Sequence, residues 1–246
     1  MRAVTAIASA AFVTCLLAQT ASAQTDVLTN GSFESGLTGW TTGSHYELGA
    51  TGTCSFNGAI APGTETLTSL AGFPATHGTQ IALGSVSSTT AGTPITSCVL
   101  YQDVAIPAGA TTATITFDVG VKGAINALNN GYKVGIYSTA EVPGYTFAAL
   151  NGSVVFASLA AADTTMQSKA TLTFNISSRA GQTVRFAIIN AVQNNAGEVI
   201  GVDNVHLLVT VPAPPVPALS TWATIGLVLL LGLTTVLSLR RRYART

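Results

Sequence analysis

Catalytic chemistry in this 246-residue chain would have to come from three histidines and ten carboxylates. His45, His77 and His206 lie far apart, and no HExxH or related metal spacing joins them. No Gly-x-Ser-x-Gly nucleophile elbow occurs. Glycoside hydrolysis needs two carboxylates across a cleft, about 5 Å or about 6.5–9.5 Å apart. Glu47, Glu65, Asp103 and Asp118 could form such a pair only by coincidence of folding. The chain is therefore not expected to be an enzyme. Binding chemistry is better supplied. Sugars are recognised by aromatic faces together with amides and carboxylates, and Trp40, Tyr46, Tyr101, Tyr132, Tyr137 and Tyr145 are the candidate rings. Tyr145, in Pro143-Gly144-Tyr145, is expected in an exposed loop. Trp40 follows a glycine-rich turn and suits a core position equally well. These two are the candidate ligand-binding residues.

Such side chains need a scaffold, and the surrounding pattern is that of strands. Ala113, Ile115, Phe117 and Val119 alternate with Thr112, Thr114, Thr116 and Asp118. Tyr132-Val134-Ile136, Leu172-Phe174-Ile176 and Val184-Phe186-Ile188 repeat the period of two that marks half-buried strands. Pro107-Ala108-Gly109, Asn129-Asn130-Gly131 and Ala180-Gly181-Gln182 supply turn chemistry. Strands are expected near 25–33, 40–48, 79–86, 96–106, 112–121, 131–138, 153–157, 170–176, 183–190 and 198–211. The stretch from Gly49 to Thr76 is expected to be loop. Short strands at this spacing, with no convincing amphipathic helix, predict an all-β fold: an antiparallel β-sandwich of jelly-roll type.

Both ends depart from this pattern. Arg2, an apolar run from Ala3 to Ala18, and Ala21-Ser22-Ala23 have the three-part form of a secretory signal peptide. Ala218 to Leu239 carries no charge. As a helix rising about 1.5 Å per residue it would reach roughly 33 Å, enough to cross a bilayer core. Arg240, Arg241 and Arg242 then act as a stop-transfer signal that stays on the cytoplasmic side. The expected organisation is a signal peptide at 1–23, an exported β-sandwich at 24–211, a proline-rich spacer at 212–217, one C-terminal transmembrane helix at 218–239 and a basic tail at 240–246. The exported part holds five cations against all ten carboxylates, a net charge of −5. That excludes a basic surface for nucleic acid. Within it Cys54 and Cys98 form an even pair, read as a disulfide in an exported protein, with two buried thiols as the other reading.

The tail carries a specific motif. Val216, Pro217, Leu219, Ser220 and Trp222 precede the apolar run and the arginines. This resembles the bacterial C-terminal sorting signals of the PEP-CTERM class, and most closely the IPTL-CTERM variant, whose motif runs Ile-Pro-Thr-Leu-Ser-x-Trp-Gly. Val216 stands for Ile, Ala218 for Thr and Ala223 for Gly. The resemblance implies a Gram-negative host and processing near the motif by an exosortase-type membrane enzyme. The implied location is the inner membrane with a periplasmic domain, then the cell surface or the extracellular space. It covers about the last thirty residues and implies nothing about the activity of the exported part.

A second, looser resemblance spans nearly all of the exported part. Asn30-Gly31-Ser32-Phe33-Glu34 followed by Gly39-Trp40, and the finish Ile200-Gly201-Val202-Asp203-Asn204-Val205, resemble the opening and last strand of galactose-binding-like jelly rolls, including carbohydrate-binding modules. The resemblance implies a structural calcium held by Glu34 and Asp203, and a polysaccharide as possible partner. The expected function is a structural or adhesive role in the envelope or an exopolysaccharide matrix, with glycan binding as the alternative.

Overall fold

The computed structural model describes residues 22–60, 73, 75–92, 94–123, 131–152, 155–158, 163–193 and 197–214, and beyond them 225–226, 229–230, 232–234, 236–237 and 240. Residues 22–212 form one compact unit. Its strands are β1 (Ala23–Asp26), β2 (Thr41–Tyr46), β3 (Gly52–Ile60), β4 (Ile81–Ser88), β5 (Thr96–Ala105), β6 (Thr112–Gly123), β7 (Gly131–Tyr137), β8 (Val155–Ser158), β9 (Asp163–Asn175), β10 (Thr183–Val192) and β11 (Gly197–Val211). They build two antiparallel sheets. The first has the order β3-β4-β11-β6-β9, with β1 also paired to β11; the second runs β2-β5-β10-β7-β8.

The alternation seen in the sequence sets the two inner faces. Ala113, Ile115, Phe117 and Val119 of β6 meet Val184, Phe186 and Ile188 of β10 and Tyr132, Val134 and Ile136 of β7 in one buried core. Intervening polar residues face outward, as the pleat requires. Smaller apolar clusters lie on the outer faces. Phe73, Ile81, Leu83, Met166 and Val199 cover part of the first sheet. Ile95, Val99, Tyr137, Tyr145, Ala187, Ile189 and Ala191 cover part of the second.

Two sequence expectations are corrected. The stretch after Gly49 contains β3, which pairs with β4 from Gly52↔Ser88 to Ile60↔Ile81 through an irregular register. In Gly-Thr-Cys-Ser-Phe-Asn-Gly only Cys54 and Phe56 alternate with Thr53, Ser55 and Asn57, a short pattern between glycines, and the edge pairs, including a Thr53–Ser87 hydroxyl contact at 2.8 Å, hold the strand there. The expected strand at 25–33 stops at Asp26, where Asp26 Oδ1 accepts the Leu28 amide and a turn begins.

Cys54 and Cys98 form a disulfide with a Cα–Cα separation of 5.3 Å, which ties β3 of one sheet to β5 of the other. The signal segment up to Ala21, the motif residues Val216, Pro217, Leu219, Ser220 and Trp222, and Arg241 and Arg242 lie outside the described residues. The described residues from Ile225 to Leu237, and Arg240, are helical. Among the described residues no helix is long and apolar enough to cross a membrane.

Candidate functional site

The opening motif and the last strand meet. Asn30 takes a left-handed backbone, φ 52°, and its amide organises the turn: Nδ2 donates to Gly36 O at 2.8 Å and to Thr38 O at 3.1 Å, while Oδ1 accepts the Ser35 amide. Gly31 O accepts the Val205 amide at 3.0 Å. A Cβ on Gly31 would sit 1.9 Å from Val205 O, so the close approach requires glycine. Trp40 closes the turn. Its indole donates to Asn30 O at 3.1 Å, and its ring packs on Phe33 at 5.4 Å and Phe186 at 6.1 Å. It is 7 % exposed, so the ligand-binding expectation for Trp40 is corrected: it is a core ring with a satisfied N–H.

Glu34 and Asp203 both hold the loop before β4. Glu34 Oε1 accepts the amides of Thr79 and Gln80, and Oε2 accepts the Thr79 hydroxyl. The two backbone hydrogen bonds hold its carboxyl below the usual glutamate range. Asp203, fully buried, accepts the Thr76 and His77 amides at Oδ2 and the Asn204 amide at Oδ1. The Thr76 hydroxyl lies 2.5 Å from Asp118 Oδ2 and 3.1 Å from Asp203 Oδ2. Asn204 Nδ2 donates to Asp118, and its Oδ1 lies 2.9 Å from His206 Nε2, whose Nδ1 meets Asp26 Oδ2 at 2.6 Å. The two resemblance-derived carboxylates thus clamp one loop. Among the described residues each retains an oxygen, Glu34 Oε2 and Asp203 Oδ1, with a single hydrogen bond. Among the described residues no group of three or more His, Cys, Asp and Glu side chains could hold a metal ion. A calcium ion at these two would draw most of its six to eight oxygens from backbone carbonyls and water.

The outer face of the second sheet carries a strap formed by the segment after β7. Arg185 Nη1 donates to Glu141 O at 2.7 Å, and Arg185 is itself fixed by both oxygens of Asp103 and by stacking on Tyr101 at 3.9 Å. Val142 fills the space left by Gly43, the Tyr145 amide donates to Ser97 Oγ, and Phe147 packs on His45 at 4.9 Å. Tyr145 points into this face. It is 4 % exposed, its carbonyl accepts the Lys133 ammonium, and that ammonium also lies 4.4 Å from the ring centroid. Its expected exposure is therefore corrected: the loop is on the surface, but the ring packs under it. Burial pushes the Tyr145 phenol up and the Lys133 ammonium down. Beside the strap is a cleft of about 240 Å³ lined by Tyr137, Ser138, Glu141, Pro143, Phe147, Ala148 and Leu150. The sequence offered Pro143 as a neighbour of the expected site. It also named Tyr137 among the candidate rings, and gave no signal for Glu141, Phe147 or Leu150.

A third feature lies between the sheets. In the first, Cys54, Val86, Glu198 and Gly123 form one cross-strand row; in the second, Cys98, Asn190, Tyr132 and Ala157 form another. The disulfide joins the two rows. With strands about 4.8 Å apart, Glu198 and Tyr132 each lie about 10 Å from it, in facing sheets. Glu198 is 2 % exposed and Asn190 and Tyr132 no more than 1 %. Both Glu198 carboxyl oxygens, both Asn190 amide atoms and the Tyr132 hydroxyl lack a hydrogen-bond partner among the described residues. Desolvation raises the Glu198 carboxyl well above the ordinary glutamate value and pushes the Tyr132 phenol up to about 12. The histidines are not gathered: His45 is on β2 beneath Phe147 of the strap, His77 on the clamped loop and His206 on β11.

No family model matches the chain, and no curated protein matches it. Among solved structures, a Stig cyclase, Fisc, from Fischerella sp. TAU is 19 % identical, with a TM-score of 0.47, over 78 % of this chain and 100 % of that one. The K1 cleaved adhesin domain of Lys-gingipain from Porphyromonas gingivalis W83 is 17 % identical, with a TM-score of 0.40, over 78 % and 98 %. A family 11 carbohydrate-binding module from Clostridium thermocellum is 16 % identical, with a TM-score of 0.34, over 78 % and 98 %. Likenesses this loose carry no argument about function, and the fold assignment rests on the strand pairing itself.

Proposed function

We propose that this chain is an exported bacterial surface protein, membrane-anchored or processed by an exosortase-type enzyme, with a structural or adhesive role in the envelope or an exopolysaccharide matrix. The observation that supports it is the Cys54–Cys98 disulfide across the sandwich, a bond that persists in oxidising compartments. It agrees with the signal-peptide pattern at 1–23 and the sorting pattern at 216–242. The test is mass-spectrometric mapping of the mature termini in the native host, with membrane fractionation. A start at Gln24 and an end between Pro217 and Trp222 is expected. An intact Thr246 in the membrane fraction would replace processing by plain anchoring, and an intact Met1 in the cytoplasm would overturn export.

Glycan binding is the second reading, and the cleft beside the strap favours it, because apolar walls and hydroxyl-binding groups occur together there. A structural calcium at Glu34 and Asp203 belongs to the same reading. Under it, calcium raises the melting temperature of chelator-treated protein, and Asp203→Asn abolishes the increment. An unchanged melting temperature with up to millimolar calcium would remove the ion from the proposal.

A further inference from the structure

We propose that His206 is a pH-sensitive clasp for the N-terminal strand: it holds β1 on β11 as an imidazolium and loosens it on losing a proton. β1 needs a clasp because its side chains bury nothing. Every residue from Ala23 to Asp26 is exposed, and the pairing with β11 runs only from Ala23↔Val211 to Asp26↔Leu208. The side-chain anchor is Asp26. Its Oδ1 accepts the amides of Leu28 at 3.1 Å and Leu207 at 3.2 Å, and its Oδ2 lies 2.6 Å from His206 Nδ1. The pair is partly open, with 40 % of the His206 side chain and 32 % of the Asp26 side chain exposed, so solvent protons reach it.

Counting protons fixes the charge of the ring. His206 Nε2 faces Asn204 Oδ1 at 2.9 Å. The orientation of that amide is set from its other end, where Nδ2 donates to Asp118 Oδ2 at 3.3 Å. Turned over, the amide would set its oxygen against a carboxylate. Asn204 reaches both partners from a left-handed backbone, φ 53°, at the register irregularity between Asp203 and His206. Both ring nitrogens of His206 therefore face acceptors. A neutral imidazole has one N–H and leaves one acceptor against a lone pair, whereas the imidazolium satisfies both. Losing the proton costs either the bond to Asp26 or the Asn204 bridge to Asp118, and in both cases ends the charge assistance on the clasp.

Among the described residues the charged groups around this bridge are carboxylates: Asp26 on β1, Asp118 on β6 and Asp203 on β11. Thr116, across from His206 on β6, is neutral, and His77, on the loop before β4, acts on Glu34. In a chain processed at Gln24 the α-ammonium is a further titratable group, two residues from Asp26. Docked β1 holds the imidazole proton more tightly than released β1, so docking is strongest with the ring charged and weakens as the pH rises. Release uncovers the β11 edge from Leu208 to Val211, directly before the proline-rich spacer.

The test uses the full chain in detergent micelles. Nitrogen NMR of the imidazole reads its protons. Amide hydrogen exchange at Val27, Leu28 and Leu207 reads the clasp, since the last two amides donate to Asp26 and the first to Leu207 O. At about pH 5.5 both ring nitrogens of His206 are expected to carry protons. Between about pH 5.5 and about pH 8.5 the protection factors of these amides are expected to fall roughly two- to fivefold, the size of a partly exposed ion pair. His206→Gln keeps a donor but cannot titrate, and is expected to abolish the fall. Asp26→Asn still accepts the two amides and is expected to abolish it as well, which reads the clasp independently of any loss of fold in His206→Gln. His77→Gln is expected to leave it unchanged. The α-ammonium is common to all these chains, so it cannot produce that pattern. A ring with a single proton at about pH 5.5 would overturn the proposal. So would constant protection in the wild type, a fall that persists in His206→Gln or Asp26→Asn, or one that disappears in His77→Gln.

Discussion

Replacing Glu198 by glutamine should change how stability depends on pH. The carboxyl is 2 % exposed, neither oxygen has a partner among the described residues, and burial raises its pKa well above 4.5. Above 4.5 the unfolded chain releases this proton while the folded chain keeps it. Raising the pH therefore favours the unfolded chain until the folded carboxyl also ionises. Within that window the loss is about 1.4 kcal/mol for each pH unit. The stability that Glu198 contributes is thus fully present in acid and drains away from pH 4.5 upward. Glu198→Gln keeps the shape and cannot titrate. Urea unfolding of both proteins at half-unit steps from pH 5 to 7 gives the difference in unfolding free energy, in which all other titrations cancel. The wild type should lose stability relative to the variant by about 1.4 kcal/mol per unit at the steepest point. Glu141→Gln, at an exposed position, should run parallel to the wild type. Parallel curves for Glu198→Gln would mean that the carboxyl is ionised in the fold, and the desolvation argument would fail.

Opening the disulfide with Cys98→Ser removes a cross-link with a sequence separation of 44 and should cost about 4 kcal/mol in the chain-entropy account, read as a fall in the urea midpoint. Gly31→Ala would place a methyl 1.9 Å from Val205 O and should lower the melting temperature steeply, whereas Gly49→Ala, with nothing within 4 Å, should cost only its left-handed backbone strain. Glu34, whose carboxyl is held low by the Thr79 and Gln80 amides, should contribute stability above the ordinary glutamate pKa and lose it as the pH falls; Glu34→Gln should flatten this acid limb, and hydrogen exchange at Thr79 and Gln80 should accelerate.

The sequence by itself determined the class of the fold. Alternation in β6, β7 and β10 could bury only one face of each strand, and two such faces must close on each other. The cysteine pair was legible because it is even in number in a chain with an export pattern. The left-handed Asn30 and the obligate Gly31 belong to a motif whose residues announce a turn.

Only the tertiary structure decided where single side chains point. Tyr145 lies in a surface segment as its neighbours suggest, yet the strap turns its ring onto Lys133 and the sheet. Trp40 follows a turn, and its fate depends on Asn30 O and Phe186 being in reach. Strand β3 has only the short Cys54–Phe56 alternation of its own and is held by its pairing with β4. Glu198, Asn190 and Tyr132 share one layer because of the register of six different strands, β3, β4 and β11 in one sheet and β5, β7 and β10 in the other. Periodicity reports which face a residue occupies along its own strand. It carries no information on what the opposite sheet places across from it, because that depends on pairings between residues as far apart in the chain as Cys54 and Glu198.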